Sequence, residues 1–582
     1  MKMNNRTVGF VCGLAFSAYV VACTSVPTVS SPSSAVMPEH KKVDVSDDQQ
    51  PKTPPKATQP NTSSTTPASI GPIDESIKKS PDLEPLAPRW VELLAGDIDT
   101  LIEALDRADQ ATLERLVGQP SSPGQQAAQL RLAMMRMHSG QRAELPDTVP
   151  EALADVLERT RKLQTQIGQS RPRRVGLLLP QDRPWGEVLE KAFRFGLGSS
   201  TVEIVVANSQ APEAGMRELI LDHGVSLVIC GPFLKRAYRA AIVAQRFRVP
   251  LISLAREPGL SELGDSVFQV GLTNEAQIDR LVAGAMESRK YTRFAVLFPR
   301  TASGWKALKR FTDQVEGRGG QVSIKQPYPR GETTFTPLIS SMVGRDAVAL
   351  NANPKYRKCV SEIPDNLKGL RRKRKVESCR DHTPPKIDFE AIFVPDSVSA
   401  VRQIMPFVEL ADMVPNLNER MLWKTRKATD NKELVATPIL GMRQLNSHYF
   451  ASRSRTDVEG TLFVDAYYPY DKQRALPGAF TRAFRKANNR PPDLLETLAY
   501  DLGLLINYLD TRDLVSSRML AQKALSELKD FEAVTGPWTM NKTGQVERPL
   551  YLLSIHKRRI LTESDRIQAL EQKKKKKRRR GR

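Results

Sequence analysis

The sequence predicts an α/β chain of two doubly wound lobes, preceded by a small all-α region and a disordered tether. Three observations carry this. From Arg174 onward short apolar runs alternate with helix-compatible stretches, and the alternation restarts near Phe294. From about Arg89 to Leu163 apolar residues such as Trp90, Leu93, Leu94, Leu101 and Leu105 recur at helical spacing with no strand-like run between them. Residues 23–82 are rich in Pro, Ser, Thr and Lys and poor in large apolar side chains, so they cannot bury enough surface to offset the entropy of ordering.

The amino-terminal segment reads as an export signal. Lys2 and Arg6 form a short basic region, Val8 to Ala22 is almost unbroken apolar sequence, and small residues follow. The apolar run, about 15 residues, is shorter than the roughly 20 that span a bilayer. Its Val20-Val21-Ala22-Cys23 ending resembles a bacterial lipobox, which implies cleavage after residue 22 and lipidation of Cys23; a plain cleaved signal is the alternative. Thr24 stands where an aspartate would retain a lipoprotein at the inner membrane, so the resemblance implies the periplasmic face of the outer membrane. The tether of about 60 residues has a root-mean-square reach of roughly 40–45 Å.

The formal net charge is +22, and the run Lys573–Arg582 supplies nine of those charges. A second cluster, Arg371-Arg372-Lys373-Arg374-Lys375, sits in an insertion at about 352–386. Like-charge blocks read as disordered interaction segments. Behind an export signal the available polyanions are anionic lipids and wall polymers, and no nucleic-acid partner is expected; a solvated tail without a dedicated partner is the alternative for 566–582. Of five cysteines, Cys12 leaves with the signal and Cys230 lies in the apolar run Leu227–Cys230 as a small core residue. Cys359 and Cys379 flank the basic cluster and, in an oxidising compartment, either close a disulfide or stay free.

In the first lobe the strands fall at Val175–Pro180, Thr201–Ala207, Ser226–Gly231 and Pro250–Leu254, with helices at Trp185–Gly196, Glu213–His223 and up to Phe247. In the second they fall at Phe294–Phe298, Gln321–Lys325, Phe389–Pro395, Thr437–Gly441 and Leu462–Ala466; Phe531 to Ile560 is a mixed stretch that returns across the lobes. Short apolar strands alternating with helices imply parallel sheets covered on both faces, with a cleft at the carboxyl ends of the strands.

Several segments then resemble the type I periplasmic-binding-protein superfamily, of the leucine-binding-like kind. They are Val175–Pro180, Ile229-Cys230-Gly231-Pro232, Pro250–Ser253, Phe268–Asn274, Phe294–Pro299 with Ser303-Gly304, Thr333-Thr334-Phe335, Tyr500-Asp501, and Thr535-Gly536 to Gly544. Within it, Asp388–Ser397, Leu462–Pro469 and Arg548–Leu553 resemble the penicillin-binding-protein activator lipoproteins. That resemblance implies a helical region at 83–168, a receptor-like domain at 169–565, and binding to a peptidoglycan synthase or another envelope protein. A periplasmic receptor for amino-acid-like solutes of an ABC transporter is the alternative.

In amino-acid receptors of this kind, backbone N–H groups and small hydroxyls after the early strands hold the ligand carboxylate, and an acid in the second lobe meets the ammonium. The candidate cleft residues here are Trp185, Gly231, Ser253, Ala255, Arg256, Asp396 and Arg443. Arg256 stands where a threonine belongs, and Met442-Arg443-Gln444 contains no acid, so a bound ligand would be anionic; both arginines as solvated or structural groups is the alternative. The six histidines show no metal-ligand spacing, and nucleophile-elbow and P-loop patterns are absent. No catalytic residue, metal or cofactor is expected, and the chain reads as a binding protein and not an enzyme.

Overall fold

The computed structural model describes residues 88–580, apart from 140–142, 168–172, 257–258, 433 and 455–456. The signal, Cys23 and the tether lie outside these residues.

Five strands form the first sheet: β1 (Arg174–Leu179), β2 (Glu203–Asn208), β3 (Leu227–Cys230), β4 (Leu251–Ser253) and β5 (Val267–Gln269). They run parallel in the order β2-β1-β3-β4-β5. Side chains alternate between faces: Val175, Leu177 and Leu179 enter one core, while Leu178 enters the other with Val228 and Cys230. Burial on both sides explains why these strands read as continuous apolar runs. The three-residue β5 escaped the sequence reading because Val-Phe-Gln is too short for a periodic signal.

Helices Pro88–Ala95, Ile98–Arg107, Gln110–Val117, Pro123–Ser139 and Ala154–Ile167 precede β1. Asp97 and Asp109 cap two of them by accepting from Thr100 N and Thr112 N. Most of their core is shared: Leu101, Leu105, Leu113 and Leu157 belong to one cluster with Leu219, Ala237 and Phe247 of the first lobe, while Ala133, Met137, Ala143 and Leu163 form a small cluster of their own. The helical region is thus a third layer on that sheet.

The strands of the second sheet are β6 (Arg293–Pro299), β7 (Gln321–Tyr328), β8 (Ala391–Phe393), β9 (Ile439–Gly441), β10 (Leu462–Asp465), β14 (Tyr551–His556) and β15 (Arg559–Thr562). Their order is β15-β14-β10-β9-β8-β6-β7. The first five are parallel, but β14 pairs antiparallel with β10, and β15 with β14, so the sheet is mixed where the sequence predicted a parallel one. Between them β11 (Phe531–Ala533), β12 (Gly536–Met540) and β13 (Val546–Glu547) make a small antiparallel sheet. Its Trp538 joins the first lobe's core, as does helix Leu494–Asp510. The chain therefore crosses between lobes three times: after β5, after β10 and before β14.

Helix Leu494–Asp510 lies against helix Pro184–Leu197, backbone on backbone. A Cβ at Gly503 would come within 2.1 Å of Phe193 O, and one at Gly196 within 2.0 Å of Tyr500 O. Asp501 on the same helix is fully buried and accepts from Val534 N, Thr535 N and Thr535 Oγ1.

Both basic segments, expected as disordered, are helical. In the insertion, helices Pro354–Ser361 and Gly369–Asp381 form a hairpin, with Cys359 bonded to Cys379 at a Cα separation of 5.7 Å. The carboxyl-terminal run continues helix Glu563–Arg580. Lys and Arg are good helix formers, and cations suit a helix's carboxyl end. The first turn is held by a buried ion network: Glu563 (2% exposed) takes bidentate hydrogen bonds from Arg289 (2.9 and 3.0 Å) and from Arg566 (both 2.9 Å). Burial alone would raise the Glu563 carboxyl, but the two guanidiniums outweigh it and hold it at about 2. Among the described residues, no helix is long and apolar enough to cross a membrane.

The glycine contact yields a prediction of opposite sign to helix propensity. Alanine is favoured over glycine in a helix interior by about 1 kcal/mol, yet Gly503→Ala will destabilise the protein by about 2 kcal/mol, because the added methyl meets a backbone carbonyl that cannot yield without moving a helix. The midpoint of urea unfolding measures it.

Candidate functional site

In doubly wound sheets the ligand site lies at the carboxyl ends of the strands, and here both sheets bring loops with charged or aromatic residues to those ends. After β1 the chain turns at Pro180 into helix Pro184–Leu197. Gly186 permits that entry, since a Cβ there would sit 2.0 Å from Pro180 O. Trp185 begins this helix, half-buried, edge-on to Phe233 with ring centroids 5.0 Å apart. Phe233 follows β3 and remains 42% exposed, with the Arg236 guanidinium 5.0 Å above its ring. Gly231, just before it, donates from its N–H to Leu178 O at 3.2 Å.

The loop after β4 is less available. Ser253 and Ala255 are both fully buried. The Ser253 hydroxyl accepts from Ala255 N at 3.1 Å, and Ala255 O accepts from Gln269 Nε2 at 2.8 Å. Their polar groups hold the loop's own shape. Arg256, half-buried, stands next along the chain.

In the second lobe Asp396 follows β8. Its Oδ2 accepts from the Tyr328 hydroxyl, at the end of β7, at 2.5 Å, and its Oδ1 from Ser397 N. Burial, with the Asp396 carboxylate beside it, pushes the Tyr328 hydroxyl far up, so it stays a proton donor. Arg443 follows β9. Its backbone N–H donates to Gln277 Oε1 at 3.0 Å, and its Nε is buried without a hydrogen-bond partner.

Asp465 ends β10, one strand from Arg443, and is 3% exposed. It accepts from Ala466 N at 2.7 Å and from Asn446 Nδ2 at 2.8 Å. Burial pushes its carboxyl up to about 6, while the charge of Arg443 and these hydrogen bonds pull the other way. The sequence reading found no acid in the Met442-Arg443-Gln444 loop; the structure supplies one from the neighbouring strand. Asp465, Tyr328, Gln277 and Asn446 were all missed. An acid closing an apolar strand was a visible signal for Asp465, the same one that singled out Asp396. The other three lie on different elements, and nothing in the local sequence links them to the loop. Among the described residues, no group of three or more His, Cys, Asp or Glu is placed to hold a metal.

This geometry defines a two-lobed α/β fold of the periplasmic-binding-protein type. Residues 173–354 match the family model described as periplasmic binding protein. No curated protein matches the chain. Among solved structures it is similar to a leucine-binding protein from Thermotoga maritima at 14% identity, over 67% of this chain and 97% of that one, with a TM-score of 0.44. It is also similar to a putative branched-chain amino acid ABC transporter protein from Rhodospirillum rubrum at 16% identity, over 67% and 99% of the two chains, TM-score 0.49. A third is an ABC-transporter solute-binding protein from Rhodopseudomonas palustris in complex with 3,4-dihydroxybenzoic acid: 16% identity, 67% and 94% coverage, TM-score 0.46.

Asp465 gives the site a pH signature. Its folded-state value, about 6, lies above its ordinary 3.8, so between those values the folded protein binds the proton more tightly than the unfolded chain. Its contribution to stability is complete below about pH 4 and is lost as pH rises towards 6. Denaturant unfolding across this range will show the decline, and Asp465→Asn will make it shallower. Asp501, also pushed up to about 6 by burial, will leave a residual slope.

Proposed function

We propose that this protein is a solute-binding receptor of the cell envelope, whose cleft takes a small carboxylate-bearing molecule and presents it to a membrane transporter. The observation that carries this reading is Arg443: a guanidinium at the carboxyl end of a central strand whose buried Nε has no partner within the protein. A buried donor left unpaired is costly, and the planar guanidinium fork matches a carboxylate. Trp185 and Phe233 on the first lobe offer aromatic surface to the ligand's apolar body. Asp465 lies near Arg443 and, with a carboxyl near 6, is ionised at neutral pH and suited to an ammonium group. An amino acid with a branched or aromatic side chain satisfies all three.

The family match at residues 173–354 supports the receptor reading. The synthase-activator reading rests on three sequence segments and on the order of tether, helical region and receptor-like domain. Neither the cleft nor the comparisons favour it. A periplasmic location follows from the receptor reading, and acylation of Cys23 would tether the protein at the outer membrane.

Calorimetry of the exported chain against branched-chain and aromatic amino acids, aromatic acids and wall fragments tests this. Saturable 1:1 binding of a carboxylate is expected, with at least a tenfold loss of affinity in Arg443→Met. Failure of every carboxylate to bind, or equal affinity in the variant, would reject it; capture of a peptidoglycan synthase by a chain that binds no solute would restore the activator reading.

A further inference from the structure

The helical layer and the first lobe border a second charged site, a partly open cavity of about 20 Å³. Arg131, Met134 and Leu113 line it from the layer, and Arg246, Phe247 and Arg248 from the first lobe. Helix Leu234–Arg246 leaves the carboxyl end of β3 and finishes at the amino end of β4. The cavity therefore lies at the opposite end of the sheet from the cleft.

Its chemistry is lopsided. Arg131 is 5% exposed, and its Nε and Nη1 have no hydrogen-bond partner. Its Nη2 lies 2.9 Å from Asp106 Oδ1, outside hydrogen-bond alignment, and its guanidinium lies 5.1 Å above the Phe247 ring. Asp106 is half engaged: its Oδ2 accepts from Arg246 Nε at 2.7 Å, while its buried Oδ1 has no aligned donor. One carboxylate is thus shared between two guanidiniums. Arg248 adds a third: its backbone is left-handed, with φ 49°, and its side chain reaches the carbonyl of Ala108 at the end of helix Ile98–Arg107. Arg217 adds a further positive charge that acts on Arg131.

Three cations line the cavity; Asp106 serves two of them and the Asp109 carboxylate bears on Arg248, yet the most buried cation, Arg131, keeps two nitrogens without a hydrogen-bond partner. Leaving a buried guanidinium under-paired costs several kcal/mol, so its directed N–H groups select an acceptor. The space exceeds the roughly 10–15 Å³ that one water needs and is too small for an amino acid or a sugar. We propose that this cavity binds a single oxyanion group, phosphate or carboxylate, which ties the helical layer to the first lobe. The anion would complete the coordination of Arg131 while contacting Arg246 and Arg248, and so bridge two parts of the molecule that otherwise meet there through Asp106, Ala108 and the stacking of Arg131 on Phe247.

Calorimetry and thermal unfolding of the exported chain, with inorganic phosphate or acetate at ionic strength matched by chloride, test this. Expected is a saturable response to at least one anion, with Kd raised tenfold or more in Arg131→Met and in Arg248→Gln and unchanged in Arg443→Met. A response to phosphate alone identifies a phosphoryl ligand, and a response to both a carboxylate or phosphoryl group. Should Arg131→Met fail to fold, the half-buried Arg248→Gln carries the comparison. The proposal is overturned if wild type gives no saturable response beyond chloride, as water-filled space would, if both cavity variants respond like wild type, or if Arg443→Met abolishes the effect and so moves the anion to the cleft.

Discussion

Two lobes joined by three chain crossings have a defined cleft only if the crossings are fixed to one another, and a few buried polar groups do this. Asp501 collects three hydrogen bonds from Val534 and Thr535. The Thr535 hydroxyl in turn accepts from Trp538 Nε1 at 2.9 Å and from Arg548 Nη1 at 3.1 Å. Arg548, on the third crossing, also reaches the carbonyl of Val270, on the first. Helix Leu494–Asp510, which carries Asp501, is held on the first lobe by the glycine contact at Gly196 and Gly503. A carboxylate in such a place is tolerable because three aligned donors are committed to it and the hydroxyl among them is itself held by Trp538 and Arg548.

Much of the fold was legible in the sequence. Val175–Leu179, Leu227–Cys230, Phe294–Phe298 and Leu462–Asp465 read as strands because they are buried on both faces, leaving apolar runs that no exposed element would show. The register of the last third was not legible. Tyr551–His556 looks like any other apolar strand, and only its pairing with β10 decides that it runs antiparallel. The two basic segments misled for a related reason: charge density argues for disorder, while the ties that hold their helices, the Cys359–Cys379 disulfide across 20 positions and the Arg289–Glu563 pair across 274, are set by the fold.

The candidate cleft was legible in part. Arg443 and Asp396 could be picked out because each follows an apolar strand. Ser253 and Ala255 could be picked out on the same ground, yet their polar groups serve the loop itself. Position after a strand says which end of the sheet a residue occupies, and not which way it faces. The cavity beside Arg131 was invisible for a stronger reason: its lining comes from residues more than a hundred positions apart, brought together only because the amino-terminal helices share the first lobe's core. The chain thus carries under-paired guanidiniums at both ends of one α/β framework.

The carboxyl-terminal helix has a consequence of its own. At 18 residues it is a rod of about 27 Å, rooted by Arg289 and Glu563 beside the edge strand of the second sheet. What the network fixes is where this rod begins: its first turn is bound to Arg289, the last residue of helix Asn274–Arg289, so the axis leaves the second lobe from a set point.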